Sequence, residues 1–317
     1  MLLVLFSHGK NYLRAAGLGG VYDDPYIALQ NHLDQLIVAM FLFYSGFGMM
    51  EQIQKRGLPY VKSIISLRLP KLLLNFDVAV LLFAAANLLM RKSIPLKRFL
   101  LSLVAIESLG NSNWYVFIVL VLYLFCYISF IPLYRKAIPE RRTVFICLLT
   151  FTLLSVALVY IQIILHRPKY WYNTLILFSL GFYYSFFHRA IEKILMRNDI
   201  SYLLAAVLLL AVYVFAYQKR WSGIEFYTIW AACFTALIVL FTMKVSINSY
   251  FLRYLGQHVF SIYIMQHLPV MVLFAIPFFH SHKYWFLVCS YLAVLPLSLC
   301  YEHLTGKLNR LIWKRAS

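Results

Sequence analysis

The chain has 317 residues, 63% of them hydrophobic and only 13% charged, with mean hydropathy +0.77. A soluble domain carries about half apolar and a quarter charged residues, so the composition excludes a soluble globular protein and a disordered one, and leaves an integral membrane protein with helical spans. The net charge of +18 would raise nucleic-acid binding in a soluble protein, but here the basic residues sit in loops between apolar runs, as in a membrane protein facing anionic lipid.

At about 20 residues per span, the length allows roughly ten spans and no soluble domain. Residues 1–317 therefore read as a single all-α integral-membrane domain. The first apolar run, Met1 to Phe6, is too short to cross and ends in Ser7, His8, Gly9 and Lys10. It has no basic n-region and no cleavage site, so it is not a signal peptide. It reads as the second half of a span. Further spans are predicted over 32–50, 72–90, 114–133, 143–165, 172–187, 201–217, 224–243, 258–279 and 284–303. Residues 94–110 are half-polar and predict a short helix at the interface or folding back. Cys126, Cys147, Cys233, Cys289 and Cys300 all lie in apolar runs without a C-x-x-C pair. They read as small hydrophobes, with no disulfide framework and no metal site.

Orientation follows the lysines and arginines. The loops after spans two, four, six and eight, with the C-terminus, hold 18 basic residues against 11 in the other loops. The first set is expected to be cytoplasmic, including the hairpin from Lys55 to Lys71 and the tail Lys307, Arg310, Lys314 and Arg315. Arg91, Lys92, Lys97 and Arg98 run against this orientation.

Polar groups at membrane depth are costly and mark function. His8 could take a proton from a hydroxyl at neutral pH, or be an interfacial histidine without a role. His32 and Asp34 open the second span and could orient such a base. A later segment, FLFYSGFGMMEQIQKRG, carries Ser45 and Gly46 at the end of a phenylalanine-rich span. Arg68 and Lys71 then stand three apart on one helical face. Two cations there suit a pyrophosphate, or are ordinary flanking charge. Asn113, Trp114 and Tyr115 open the fourth span, and Trp171, Tyr172 and Asn173 open the sixth. Each set is either an aromatic belt or an aromatic and amide surface for a sugar. Asp77 lies inside the third span and Glu302 closes the last one.

In this order the pieces resemble the integral-membrane acyltransferase family 3, which includes polysaccharide and lipopolysaccharide O-acetyltransferases. The resemblance covers most of the chain. The family's histidine at the end of the first span is matched by Ser7–His8. Its S-G-[FY] ending of the second span is matched by FLFYSGF, and its R-x-x-R pair by Arg68 and Lys71, the second position keeping charge but losing bidentate geometry. NWYVF matches an aromatic segment. WYNTLILFSLGFYYSFF is similar to a segment of capsular and exopolysaccharide O-acetyltransferases, LGQHVFSIYIMQHLPV to a late span, and YEHLTGKLNRLIWKR to the closing glutamate and basic tail. No motif is specific alone; their order is what carries the resemblance.

The resemblance implies transfer of an acyl group, most simply acetyl, from acyl-CoA to a hydroxyl of a surface or capsular polysaccharide or its lipid-linked precursor. His8 would be the base. Arg68 and Lys71 would hold CoA phosphates. Asn113, Trp114 and Tyr115 are candidate oxyanion donors and, with Trp171, Tyr172 and Asn173, acceptor contacts. Asp34, Ser45, Asp77 and Glu302 would support them. Acyl-CoA is then a substrate, with no bound cofactor and no metal. The protein would be multi-pass in a bacterial plasma membrane with a cytoplasmic C-terminus; its partners are the lipid bilayer, acyl-CoA and the glycan, with no nucleic acid, and a homo-oligomer is compatible with this. Two other readings stand beside it: a polysaccharide or small-molecule transporter, against which no inverted repeat is visible, and a non-catalytic member of a polysaccharide assembly. The family also places a basic residue about ten positions before its histidine. A six-residue stub covers only about 9 Å of a core of about 30 Å. The sequence therefore predicts a functional start roughly ten to fifteen residues upstream, set by completing one span.

Overall fold

The computed structural model describes Val4, His8 and residues 22–33, 35–131 and 140–313, and among these residues every regular element is helical. Ser7, Asp34, Lys314, Arg315 and all of the Met1–Phe6 run except Val4 lie outside the described residues.

Helix α1 (Asp23–Leu33) opens with Asp23 and Asp24, whose charges suit its N-terminal dipole. Helix α2 (Leu36–Arg56) ends at Gly57, whose φ of 61° is open to glycine and whose N–H donates to the Ile53 carbonyl at 2.8 Å. Helix α3 (Leu58–Ser63) passes through a π turn, Ile64–Arg68, into α4 (Leu69–Leu89). Pro70 explains the turn. It has no N–H and its ring would meet the Ser66 carbonyl in a regular α-helix, so the chain widens there. Helices α5 (Leu96–Leu103), α6 (Trp114–Phe130) and α7 (Arg141–Ile164) follow. After a short 3-10 turn, Lys169–Trp171, come α8 (Leu177–Leu195), α9 (Asp199–Lys219) and α10 (Ile224–Lys244). The Asn198 side chain caps α9 by accepting from the Ser201 N–H at 2.7 Å. The chain ends in α11 (Tyr250–Gln257), α12 (Val259–Met265), α13 (His267–Phe274), α14 (Pro277–Ser281) and α15 (Lys283–Trp313).

Six described segments are long and apolar enough to cross a membrane: Asp23–Arg56, Leu58–Leu89, Arg141–Ile164, Asp199–Lys219, Ile224–Lys244 and Lys283–Trp313. Trp114–Phe130 and Val259–Phe274 are shorter apolar helices. Each span predicted from 32–50 onward overlaps a helix. That over 32–50 begins in α1 and resumes at Leu36, and that over 114–133 is helical to Phe130, with 132–133 outside the described residues. Three further differences stand out. The span predicted from 172 begins at Leu177, because the residues before it make 3-10 turns. The span predicted over 258–279 is divided between α12 and α13. The helix predicted within 94–110 stops at Leu103 and gives way to a folded loop. Helix α1 coincides with a predicted span only at its last two residues, His32 and Leu33.

The chain forms two compact units. The first comprises Met1–Asp34, Leu67–Leu120 and Asn248–Ser317, and the second Gln35–Ser66 and Val121–Ile247. In the second, α2 and α8 approach backbone to backbone. A Cβ on Gly46 would stand 2.1 Å from the Phe178 carbonyl oxygen, and one on Gly181 would stand 2.0 Å from that of Phe43. Small residues allow this close packing in membranes, where dispersion rather than water exclusion joins helices. Phe151, Phe178 and Phe182 fill the space beside the crossing, with ring centroids 4.6 to 5.7 Å apart. Beyond it, the Ser185 hydroxyl donates to Glu51 at 2.8 Å and accepts from the Gln54 amide at 2.9 Å.

In the first unit, Val270, Phe286 and Leu287 form a core to which Tyr26 of α1 adds. The Tyr26 and Tyr291 hydroxyls are 2.8 Å apart. The buried Asp23 carboxylate accepts from the Lys283 ammonium at 2.5 Å and the Tyr284 hydroxyl at 3.0 Å. These bonds fasten α1 to α15, the two ends of the chain, and so fix the neighbourhood of α13.

Candidate active site

His8 is in helical conformation one turn after the buried Val4. Its imidazole meets the ring of His267 edge to face, with centroids 4.4 Å apart and planes at 63°. Both belong to the first unit. His267 opens α13 at an interruption of an apolar helix. Pro269 has no N–H, so the Met265 carbonyl lacks its donor four residues on. Gln266 stands between α12 and α13, only 1% exposed, and neither Nε2 nor Oε1 has a hydrogen-bond partner among the described residues. At membrane depth such an interruption persists only where protein surrounds it or a cavity borders it. Gln30 on α1 is another buried carboxamide whose two polar atoms have no hydrogen-bond partner among the described residues.

One turn before His267, the buried Tyr263 packs on Tyr115 with centroids 5.1 Å apart, and Tyr115 packs on Trp114 at 6.0 Å. The aromatic opening of α6 thereby reaches the interrupted helix. Its neighbours hold a loop together. The Asn113 amide donates to the Ala105 carbonyl at 2.8 Å, and the Asn111 Oδ1 accepts from the Leu109 N–H at 3.1 Å. The Arg98 guanidinium donates to the Ser108 carbonyl at 2.6 and 3.0 Å. That explains one cation standing against the charge rule: it is occupied by a loop carbonyl. Gly110, at φ +111°, lets the loop lie against Met271 of α13, whose sulfur would be 3.0 Å from a Cβ there.

Arg68 ends the π turn and Lys71 is exposed on the first turn of α4. From Arg68 to Phe83, which lies beside Gly110 and Met271, the helical rise is about 22 Å at 1.5 Å per residue. Between these levels, the Asn75 carbonyl accepts from the Tyr301 hydroxyl at 2.5 Å and its Oδ1 accepts from the Asn309 amide at 2.7 Å. Asp77 is half-buried, and its Oδ1 has no hydrogen-bond partner among the described residues. Glu302 accepts from His258 Nδ1 at 2.5 Å and from the Ser261 hydroxyl at 3.3 Å, so α15 orients a third imidazole. Among the described residues no three His, Cys, Asp or Glu side chains gather as a metal site requires.

The remaining candidates belong to the second unit. Trp171 is 5% exposed, with the Arg167 guanidinium 4.7 Å from its ring. Asn173 is buried, and its carbonyl accepts from the Thr228 hydroxyl at 3.0 Å. Tyr172 is half-buried between them, and Ser45 is half-buried on α2 beside Gly46. A belt tryptophan would face outward; Trp171 faces inward.

Residues 1–303 match the family model described as Acyltransferase domain, that of acyltransferase 3. The chain belongs to acyltransferase family 3. No curated protein and no solved structure matches it. As a member of this family it is a membrane acyltransferase, an enzyme, and its apolar helices make it multi-pass. Sequence reasoning placed His8, Arg68 and Tyr115 among the functional candidates but passed over His267, Gln266 and His258. One signal was there to be read. A Gln-His pair two residues before a proline, inside an otherwise apolar run, is an intramembrane polar cluster at a helix breaker.

Proposed function

We propose that this acyltransferase moves an acyl group, most simply acetyl, from acyl-CoA to a hydroxyl of a surface or capsular polysaccharide or its lipid-linked precursor. The observation that carries the reading is the His8 imidazole packed on His267 at the interruption of a buried apolar helix. A sugar hydroxyl is too weakly acidic to attack a thioester unaided. His8 accepts its proton as the oxygen bonds to the acyl carbon. The C–S bond then breaks, and the departing thiolate takes the proton back from His8. The acyl ester and free CoA are the products.

Arg68 and Lys71 bind the CoA phosphates in this account, and the extended pantetheine arm runs the length of α4 toward the interruption. Trp114 and Tyr115 offer ring faces and hydrogen-bonding groups to the acceptor, and Trp171, Tyr172 and Asn173 of the second unit are separate candidate acceptor contacts. Asp34 orients the base, and Ser45, Asp77 and Glu302 support the frame. The excess of basic residues in one set of loops supports a cytoplasmic Arg68 end and C-terminus in a bacterial plasma membrane, the side on which acyl-CoA is made.

Arg68→Ala should raise the apparent KM for acyl-CoA about tenfold or more, the worth of a charge-assisted hydrogen bond, and leave the glycan KM within about twofold. Lys71→Arg should be tolerated or improve donor binding, because it restores a planar fork for phosphate. Steady-state kinetics with each substrate varied in turn would decide. Equal changes in both KM values, or none, would assign these cations to topology.

A further inference from the structure

We propose that the Gln266 carboxamide donates the hydrogen bond that stabilises the tetrahedral oxyanion of acyl transfer. The inference rests on the reading of His8 as the base. Three observations converge on Gln266. It lies in the interruption between α12 and α13, where Pro269 removes an intrahelical bond. It immediately precedes His267, whose ring touches that of His8. Its side chain is 1% exposed, yet neither polar atom has a hydrogen-bond partner among the described residues.

Buried amides are nearly always bonded, and an unbonded one calls for a reason. Here the reason is chemical. When the acceptor oxygen bonds to the thioester carbon, the C=O π pair moves onto the carbonyl oxygen, and His8 holds the hydroxyl proton. The negative oxygen needs a donor fixed before the reaction begins. A buried amide N–H with no partner among the described residues is available to meet that need. When the intermediate collapses, the oxygen pair re-forms C=O, the C–S bond breaks, and the thiolate leaves with the proton from His8. Asn113, an alternative donor, already gives an amide N–H to the Ala105 carbonyl. Gln30, a carboxamide likewise without a hydrogen-bond partner among the described residues, lies on α1 and is not adjacent to either histidine of the pair in the chain.

The test is Gln266→Met, which keeps the length and apolar body of the side chain and removes the amide. Purified wild type, Gln266→Met and His8→Ala would be compared with acetyl-CoA and a de-O-acetylated capsular polysaccharide, together with thermal unfolding. Gln266→Met should lower kcat by about a hundredfold to a thousandfold, the usual loss for one oxyanion donor. The acetyl-CoA KM should stay within about threefold, and the melting temperature should be unchanged or higher, since no protein partner is lost. Three results would overturn the proposal: kcat within about threefold of wild type, an effect confined to the glycan KM, or a clear fall in melting temperature. His8→Ala separates the two claims. If it is inactive while Gln266→Met is active, the base reading stands and the oxyanion assignment fails. If His8→Ala is active, the base reading itself fails.

Discussion

His8→Ala should reduce acyl transfer by about a hundredfold or more while the protein still inserts in the membrane and binds acyl-CoA. Loss of a general base costs about two to four powers of ten, and a neutral imidazole has a nitrogen free to take the hydroxyl proton. Insertion is set by the apolar spans, which the substitution leaves alone. In the proposed function donor binding is assigned to Arg68 and Lys71, at the start of α4, away from the loop that meets α13. The pattern to look for is therefore lost turnover with retained acyl-CoA binding. Activity within about threefold of wild type would remove His8 from the mechanism.

The second large effect concerns the crossing of α2 and α8. Gly181→Ala places a Cβ 2.0 Å from the Phe43 carbonyl oxygen and 2.8 Å from the Phe47 nitrogen. Both are backbone atoms, so no rotamer change relieves the clash and the helices must part. Overpacking of a tight contact costs about 1–3 kcal/mol when side chains can yield, and backbone yields less. Gly181→Ala, and likewise Gly46→Ala against the Phe178 carbonyl, should lower the thermal midpoint by several degrees or prevent purification of folded protein. Gly48→Ala is the control, because nothing lies within 4 Å of its Cβ position. Equal midpoints for all three variants would contradict the close crossing.

Much of this architecture was legible from residue order. Runs of about 20 apolar residues force helices in lipid, where every backbone group must bond within its own segment. That is why spans such as 201–217 and 224–243 fall within α9 and α10. Three features escaped. Helix α1 is polar, DDPYIALQNHL, and is fastened through Asp23 and Lys283 across the length of the chain. The π turn at Ile64–Arg68 is a local answer to Pro70 rather than a periodicity. The interruption at Gln266 disappears when hydropathy is averaged over a span. The candidate site divides the same way. His8 stood out by position and resemblance, but its neighbour His267 comes from the opposite end of the chain, and one residue order does not show which turns of distant helices meet. Asn113 was legible as an amide beside aromatics, and its use by the Ala105 carbonyl was not.

Transfer itself is the most direct measurement. The purified protein in lipid nanodiscs would be given acetyl-CoA radiolabelled in the acetyl group and de-O-acetylated capsular polysaccharide. The readout is label in the polysaccharide that mild alkali releases, alongside free CoA thiol. The account predicts alkali-labile label and thiol appearing in equal amounts with the wild type, and neither with His8→Ala. Bound acetyl-CoA with no label reaching any polysaccharide, or equal labelling by wild type and His8→Ala, would contradict it.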